Sequence, residues 1–412
     1  MNRRFFLQNG ALALAGTAAL PNFLLRAAMA QSAPAKGNRL VVIFQRGAVD
    51  GLNVVVPYRE KNYYAMRPTI GIAPETVLDL DGNFGLHPSL APFADLYKDG
   101  HLAVIHAAGS PNESRSHFDA QDYMENGTPG NSLQIDGWLN RALQAEDLRA
   151  RYKASPFRAV ALGSQLPKTL TGSVPALAIN DIANFNVAGR GPKPTTIANT
   201  FESIYAASGD QILHKAGEET FDAVRMMREA NATTYTPANG ATYPNGEFGR
   251  NMKQIAKLLK SNLGVETAFT DMGGWDTHVN QGGAQGQLAN RLTEFSQSIA
   301  AFWRDLGDEA ESVTLVTMSE FGRTAKQNGT GGTDHGHGNV MFVLGGRVNG
   351  GRVYGKWPGL ETEQLYEQRD LAITTDFRAV LGELLTKTMR ATDLEKVFPE
   401  AGLRSNQFLN LV

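Results

Sequence analysis

Short unbroken apolar runs, separated by stretches of helical periodicity, constrain this chain more than any other feature. Residues 38–44 (NRLVVIF) form one such run, and similar ones occur at 102–107, 159–162, 176–180, 265–270, 313–318 and 340–344. They are continuous rather than alternating, the pattern of strands buried on both faces in a parallel sheet. Between several of them lie amphipathic patterns at 90–98, 135–144, 248–263, 287–306 and 376–385. Strands that alternate with helices predict an α/β fold, a mostly parallel sheet with helices on both faces. The segment 193–243 is polar and helical in character, and 233–246 is rich in Thr, Pro, Asn and Gly. It reads as a helical and loop insertion over 193–246, or equally as another pair of crossover helices.

The N-terminus predicts export. Arg3-Arg4-Phe5-Phe6-Leu7 leads into an uncharged stretch at 11–20, and Ala28-Met29-Ala30 is a small-x-small cleavage site, together resembling a twin-arginine signal peptide over 1–30. Pro21 and Arg26 interrupt the apolar run, so it falls short of the ~20 apolar residues a membrane anchor needs; an ordinary Sec signal is the other reading. Residues 31–412 then form a mature chain of about 380 residues, read as one α/β domain. The expected partners are the twin-arginine machinery and a small anionic ester or envelope glycan. After processing, no stable membrane span is expected. The net charge of −2 gives no electrostatic case for nucleic acid.

The chain has no cysteine, which excludes disulfides, thiolate ligands and Cys nucleophiles. Any metal must be held by nitrogen and oxygen donors, so the expected cofactors are divalent ions: zinc, manganese, iron, calcium or magnesium. Of eight histidines, three fall in Trp275-Asp276-Thr277-His278 and Asp334-His335-Gly336-His337. Each lies within three residues of an aspartate able to bind the same ion or orient the ring. In open α/β sheets, ligands collect at the carboxyl edge of the strands. Asp50 follows the first run, Asp276 and His278 the run at 265–270, and Glu320 the run at 313–318, while Asp334, His335 and His337 precede the run at 340–344. These seven are the candidate metal ligands. Plainer readings stand beside them: Asp50 as a turn residue, Asp276 as an Asx-turn, Glu320 with Arg323 as a local ion pair, and His106 as a core histidine. Ser114 and Ser116 lie on a loop entering a predicted helix, where an activated serine can act as nucleophile; Ser116 is equally explained as an N-cap.

The motifs Arg-Gly-x-x-Asp-Gly-Leu at 46–52, Ser-Arg-Ser-His-Phe at 114–118, Gly-Gly-Trp-Asp-Thr-His at 273–278, Ser-Glu-Phe-Gly-Arg-Thr at 319–324 and Gly-Thr-Asp-His-Gly-His-Gly at 332–338 resemble the exported bacterial family called domain of unknown function 1501. That family is more distantly similar to the alkaline phosphatase and sulfatase superfamily. The resemblance implies an alkaline-phosphatase-like α/β domain, with Asp50, Asp276, His278, Glu320 and His335 or His337 as metal ligands and Ser116 as the nucleophile. Two features depart from the superfamily: Phe321 follows Glu320 where a histidine is common, and a single residue separates Asp276 from His278. The implied activity is hydrolysis of phosphate or sulfate esters, with divalent ions stabilising the attacking and leaving oxygens and Arg115 or Arg323 clamping the anion. A metal-stabilised envelope binding protein without turnover is the alternative on the same fold.

Because the arginine pair carries the export signal, replacing Arg3 and Arg4 together by Lys is expected to leave the precursor in the cytoplasm. Cell fractionation checks this, and undiminished export of the double variant would assign the signal to the Sec route.

Overall fold

The computed structural model describes residues 38–145, 155–184, 222–227, 235–261 and 263–412. The expected signal peptide at 1–30 lies outside these residues, as does most of the expected insertion at 193–246. In chain order the strands are β1 (Arg39–Gln45), β2 (Val55–Val56), β3 (Leu78–Asp79), β4 (Gly85–Leu86), β5 (Leu102–Gly109), β6 (Ala159–Leu162), β7 (Leu177–Ile179), β8 (Thr267–Met272), β9 (Val313–Met318), β10 (Asn339–Gly345), β11 (Arg352–Tyr354) and β12 (Thr375–Asp376). The longer helices are α1 (Ala91–Lys98), α2 (His117–Asn126), α3 (Trp138–Ala145), α4 (Glu247–Lys260), α5 (Gln287–Leu306) and α6 (Phe377–Thr388).

The main sheet has the order β11-β5-β10-β9-β1-β8-β6-β7, with β12 also paired to β5. β2, β4 and β3 make a small separate antiparallel sheet. β1 lies at the centre, parallel to both β8 and β9. Its residues Leu40 to Phe44 have no solvent exposure, and they divide by parity between two cores. Val41 and Ile43 pack with Phe93 of α1, Ile255 of α4 and Phe295 of α5. Leu40, Val42 and Phe44 pack with Trp138 of α3 and Phe377 and Leu381 of α6. This is why the run at 38–44 reads as continuously apolar: a period-two side-chain pattern meets a helical layer on each side. The layers are built the same way. Along α5, Leu288, Leu292, Phe295, Ile299, Phe302 and Leu306 are buried, alternating steps of four and three that keep one stripe on the sheet. Burial of each such side chain stabilises the fold by roughly 1.5–3 kcal/mol.

The expected α/β architecture is therefore present, with one exception to parallel order that matters for the site. β10 runs antiparallel to both β5 and β9. Its first residues consequently lie at the edge where its neighbours end, and Asn339 pairs with Ala108 near the end of β5. A loop that precedes β10 thus meets loops that follow β1, β8 and β9. Among the described residues, no helix is long and apolar enough to cross a membrane.

Glycine allows these loops to touch. Gly47 has φ +114°, and a Cβ there would stand 2.9 Å from the Asp276 backbone nitrogen. At Gly336 a Cβ would stand 2.3 Å from the Arg323 carbonyl carbon, where the isolated bridge between Arg323 and His335 joins the two loops. Gly336→Ala is expected to force those loops apart and to cost ~1–3 kcal/mol, the usual range for overpacking. Chemical denaturation checks this, and a variant as stable as wild type would show that the loops yield freely.

Candidate functional site

Four side chains from two loops and one helix converge at the carboxyl edge. Asp276 and His278 follow β8, His335 precedes β10, and His117 is the first residue of α2, after β5. His117, Asp276 and His335 each offer a ligand atom within 4.8 Å of the others. His278 Nε2 lies 3.1 Å from Asp276 Oδ1 and 2.9 Å from His335 Nε2. His335 Nε2 is 3.5 Å from the same Asp276 oxygen, and His117 Nε2 is 3.6 Å from Asp276 Oδ2.

What fixes the three rings is on their other nitrogen. His117 Nδ1 meets Glu320 Oε1 at 2.8 Å, His278 Nδ1 meets Asp334 Oδ1 at 3.0 Å, and His335 Nδ1 meets the Arg115 carbonyl at 2.8 Å. A carboxylate or a carbonyl only accepts, so each Nδ1 must carry the hydrogen. In the neutral rings every Nε2 is then left with a lone pair, and all three lone pairs face Asp276. The His278 and His335 nitrogens, 2.9 Å apart, cannot both be unprotonated without repulsion unless a cation lies between donors. His117 Nε2 is shielded from solvent and has no hydrogen-bond partner among the described residues, although an unmatched buried polar atom is costly. Rings held by Nδ1 on carboxylate or carbonyl, with Nε2 free and convergent, are the arrangement of metal-binding histidines. His117, Asp276 and His335 therefore place ligand atoms close enough together to fit one divalent ion, with His278 Nε2 adjoining Asp276 and His335.

The supports are themselves well anchored. Glu320 is buried, and its Oε1 accepts from Gly47 N, His117 Nδ1 and Gln121 Nε2, each at 2.8 Å, while Oε2 accepts from Ser319 Oγ at 3.1 Å. Burial pushes the Glu320 carboxyl up, but the hydrogen bonds from His117, Gln121 and Gly47 outweigh it and hold it below the usual range. The same Glu320 contact, against a smaller desolvation penalty, raises the His117 imidazole above its ordinary value. His335 is shifted the opposite way, lowered mainly by desolvation despite the Arg115 carbonyl, with the charges of His117, Arg323 and His278 adding to the effect. Asp276, although pushed up by partial burial, is held low by the hydrogen bond and charge of Arg323 and by the imidazoles. Phe321 is buried with its ring centroid 5.0 Å from that of His117 and 5.1 Å from that of His335. The residue that departs from the superfamily pattern thus forms an apolar wall against two of the rings. The Asp276 side chain remains 46 % exposed, so one side of the cluster is open to solvent.

The structure corrects several sequence expectations. Asp50 is not part of the cluster: its carboxylate is buried against the Arg67 guanidinium, at 2.6 and 2.9 Å, and Oδ2 also accepts from Gln281 Nε2 at 2.6 Å. Both of its oxygens are thus engaged by Arg67 and Gln281, away from the group formed by His117, Asp276 and His335. Glu320 and Asp334 stand behind His117 and His278 rather than beside an ion. His337 is buried against Tyr366, ring centroids 4.2 Å apart, and desolvation followed by the charge of Arg115 lowers it to about 4. Arg115 pairs with Glu367 and Asp370, and Arg323 is fully buried, donating to the carbonyls of Ala48, Gly47, Trp275 and Thr333 and to Asp276. Arg115 is drawn onto those two carboxylates through Nε and Nη2, and Arg323 is enclosed with no solvent-facing edge for an anion. Ser116 caps α2, its Oγ facing Asp119 N at 3.5 Å, and is exposed. His117, by contrast, was not among the expected ligands. Its signal was its place in Ser-Arg-Ser-His-Phe, at a helix start that follows a strand's carboxyl end.

Among solved structures the chain is similar to PsFucS1 sulfatase from Pseudoalteromonas sp., with 10% identity, 95% of this chain and 76% of that chain covered, and a TM-score of 0.40. It is also similar to Ps i-CgsB in complex with k-i-k-neocarrahexaose, with 9% identity, 90% of this chain and 74% of that chain covered, and a TM-score of 0.38. No curated protein matches the chain. The family described as "Protein of unknown function (DUF1501)" matches residues 37–400, and the chain belongs to that family.

Proposed function

We propose that this protein is an exported metal-dependent hydrolase of phosphate or sulfate esters, binding one divalent ion on His117, Asp276, His278 and His335. The observation that carries the reading is the convergence of three imidazole Nε2 atoms on Asp276, each ring fixed through Nδ1. Three nitrogen donors and one carboxylate suit zinc, iron or manganese better than calcium or magnesium, which prefer oxygen. Such an ion, when bound, supplies Lewis-acid polarisation of a phosphoryl or sulfuryl oxygen. A single carboxylate among the ligands leaves part of its positive charge uncompensated, which favours an anionic substrate over a neutral one.

The chain's own residues do the rest. Glu320, Asp334 and the Arg115 carbonyl keep the hydrogen on each Nδ1 and so hold the donor nitrogens in register. Arg323 keeps Asp276 ionised and fixed. The open side at Asp276 admits ester and water, which suits turnover better than a closed structural site. Ser116 has no part in this reading beyond its cap. Export rests on the N-terminal pattern at 1–30 and supplies the setting, an envelope compartment where anionic esters of glycans are at hand.

Elemental analysis of the purified folded protein is expected to give one such ion per chain after supplementation, and none in Asp276→Ala or His278→Ala variants that retain wild-type melting. Glu320→Gln is expected to weaken metal binding about 10–100-fold, the usual effect of losing a ring-orienting carboxylate. A folded wild type that takes up no divalent ion, or an Asp276→Ala variant that binds it equally well, would overturn the site.

Ser116→Ala separates cap from nucleophile. On aryl phosphate and aryl sulfate esters, the variant is expected to keep its rate within about two-fold while losing ~1 kcal/mol of stability. Abolished turnover in a normally folded, metal-loaded Ser116→Ala protein would restore the serine route.

A further inference from the structure

The arginines around the imidazole cluster divide by what they hold. Arg323 is fully enclosed by carbonyls and Asp276. Arg115 gives Nε and Nη2 to Asp370 and Nη2 also to Glu367. Arg46 is shared among Asp271, Glu125 and Gln121. Arg369 is different. Its side chain is 42 % exposed, its Nε lies 3.1 Å from Asp370 Oδ1, and its Nη2 donates to the His335 carbonyl. Its Nη1, like that of Arg115, takes no acceptor among the described residues, but Arg369 is the most exposed of the four side chains, against 27 % for Arg115 and 25 % for Arg46.

The backbone holds Arg369 at that place. Tyr366 N donates to Asp370 O at 2.8 Å and Asp370 N to Tyr366 O at 3.0 Å, closing a tight turn over 366–370. Glu367 and Gln368 inside it both have positive φ, 51° and 56°, a conformation that tight two-residue turns normally give to Asn or Gly. Backbone in such a region persists where the surroundings enforce it, and it concentrates at functional sites. Here the surroundings are the site loops themselves: Ala325 N donates to Arg369 O at 3.1 Å, and Thr324 bridges Asp370. Arg369 is thus fastened to the loop bearing Glu320 and Arg323 through its carbonyl, and to the loop bearing His335 through its guanidinium. Its charge also reaches Asp334, whose carboxyl is held low first by the Asn328 amide, then by His278, and further by Arg369.

We propose that Arg369 is a substrate-positioning residue, binding the anionic group of the ester through its free Nη1 edge at the rim of the His117, Asp276, His278 and His335 cluster. A guanidinium edge matches the oxygens of a phosphate or sulfate by paired charge-assisted hydrogen bonds. The proposal rests on reading the cluster as a site for an anionic ester, and it assigns recognition of that anion to a residue outside every motif discussed above.

The test uses the full metal-loaded protein and its Arg369→Gln and Arg369→Lys variants. KM and kcat are measured on an aryl sulfate and an aryl phosphate, and binding of inorganic sulfate and phosphate is measured by calorimetry on the same preparations. Arg369→Gln is expected to raise KM and the oxyanion Kd about ten-fold or more, as loss of a hydrogen bond to a charged group does, with kcat within about two-fold and metal content and melting unchanged. Arg369→Lys is expected to recover part of the oxyanion affinity. Oxyanion affinity that is unaltered in Arg369→Gln, or a fall in kcat and metal content with KM unchanged, would overturn the proposal and leave Arg369 as a brace for His335. A wild type that binds oxyanions through Arg369 yet hydrolyses neither ester would support Arg369 and refute the hydrolase. A metal-loaded wild type that binds no oxyanion would refute both.

Discussion

The buried guanidinium of Arg323 is the contact on which the site depends. A charge with no solvent access is tolerated only where its hydrogens are matched and its charge is balanced. Arg323 meets both conditions by drawing in chain from three parts of the sequence: the carbonyls of Gly47 and Ala48 after β1, the Trp275 carbonyl and the Asp276 carboxylate after β8, and the Thr333 carbonyl before β10. Apolar packing helps order the same loops, with Val49 and Trp275 in the main core and Ala48, Ala120 and Phe321 in a small cluster of their own. Satisfying one arginine brings them together, and the same act fixes the carboxylate on which the imidazoles converge. Asp276 therefore meets both the Arg323 guanidinium and the three imidazoles.

A second buried arginine illustrates how the same chemistry can withdraw a residue from a site. Arg67 uses its donors on Asp50, Asn53 and the carbonyls of Thr324 and Ala325. Asp50 occupies the position after the first strand that the superfamily resemblance gives to a metal ligand. In this chain a permanent cation from the protein already neutralises it. Breaking a buried pair of this kind leaves an unpaired charge at a cost of about 3–5 kcal/mol, so Asp50 is committed to the scaffold. The donor set that remains is richer in nitrogen than in oxygen.

The histidines show a division of labour between neighbouring side chains. Each ring has one nitrogen on a fixed acceptor and one turned towards Asp276, so Glu320, Asp334 and the Arg115 carbonyl set the orientation of the rings. Phe321 adds steric definition, since an apolar ring beside His117 and His335 offers no competing hydrogen bond. Arg115 contributes its carbonyl to His335 while its guanidinium holds the turn at 366–370. One residue thus links the His335 ring to the segment that carries Arg369.

The sequence by itself determined the sheet, its covering helices and the edge at which chemistry collects. The runs at 159–162 and 313–318 and the helical pattern at 287–306 coincide with β6, β9 and α5, because burial on two faces or along one stripe is written in the spacing of neighbouring residues. Asp276, His278 and His335 were legible for a related reason: each stands close to a strand boundary that the same spacing defines. Only the tertiary structure decided the direction of β10, the capture of Asp50 by Arg67, the withdrawal of His337 onto Tyr366 and the entry of His117. Those outcomes depend on partners far away in the chain. Glu320, 203 residues from His117, holds its ring, and Arg115 is 255 residues from Asp370, to which it is paired. Local periodicity carries no record of such pairings, since a histidine's role is set by what its second nitrogen meets, and that is decided when the loops close around a shared charge.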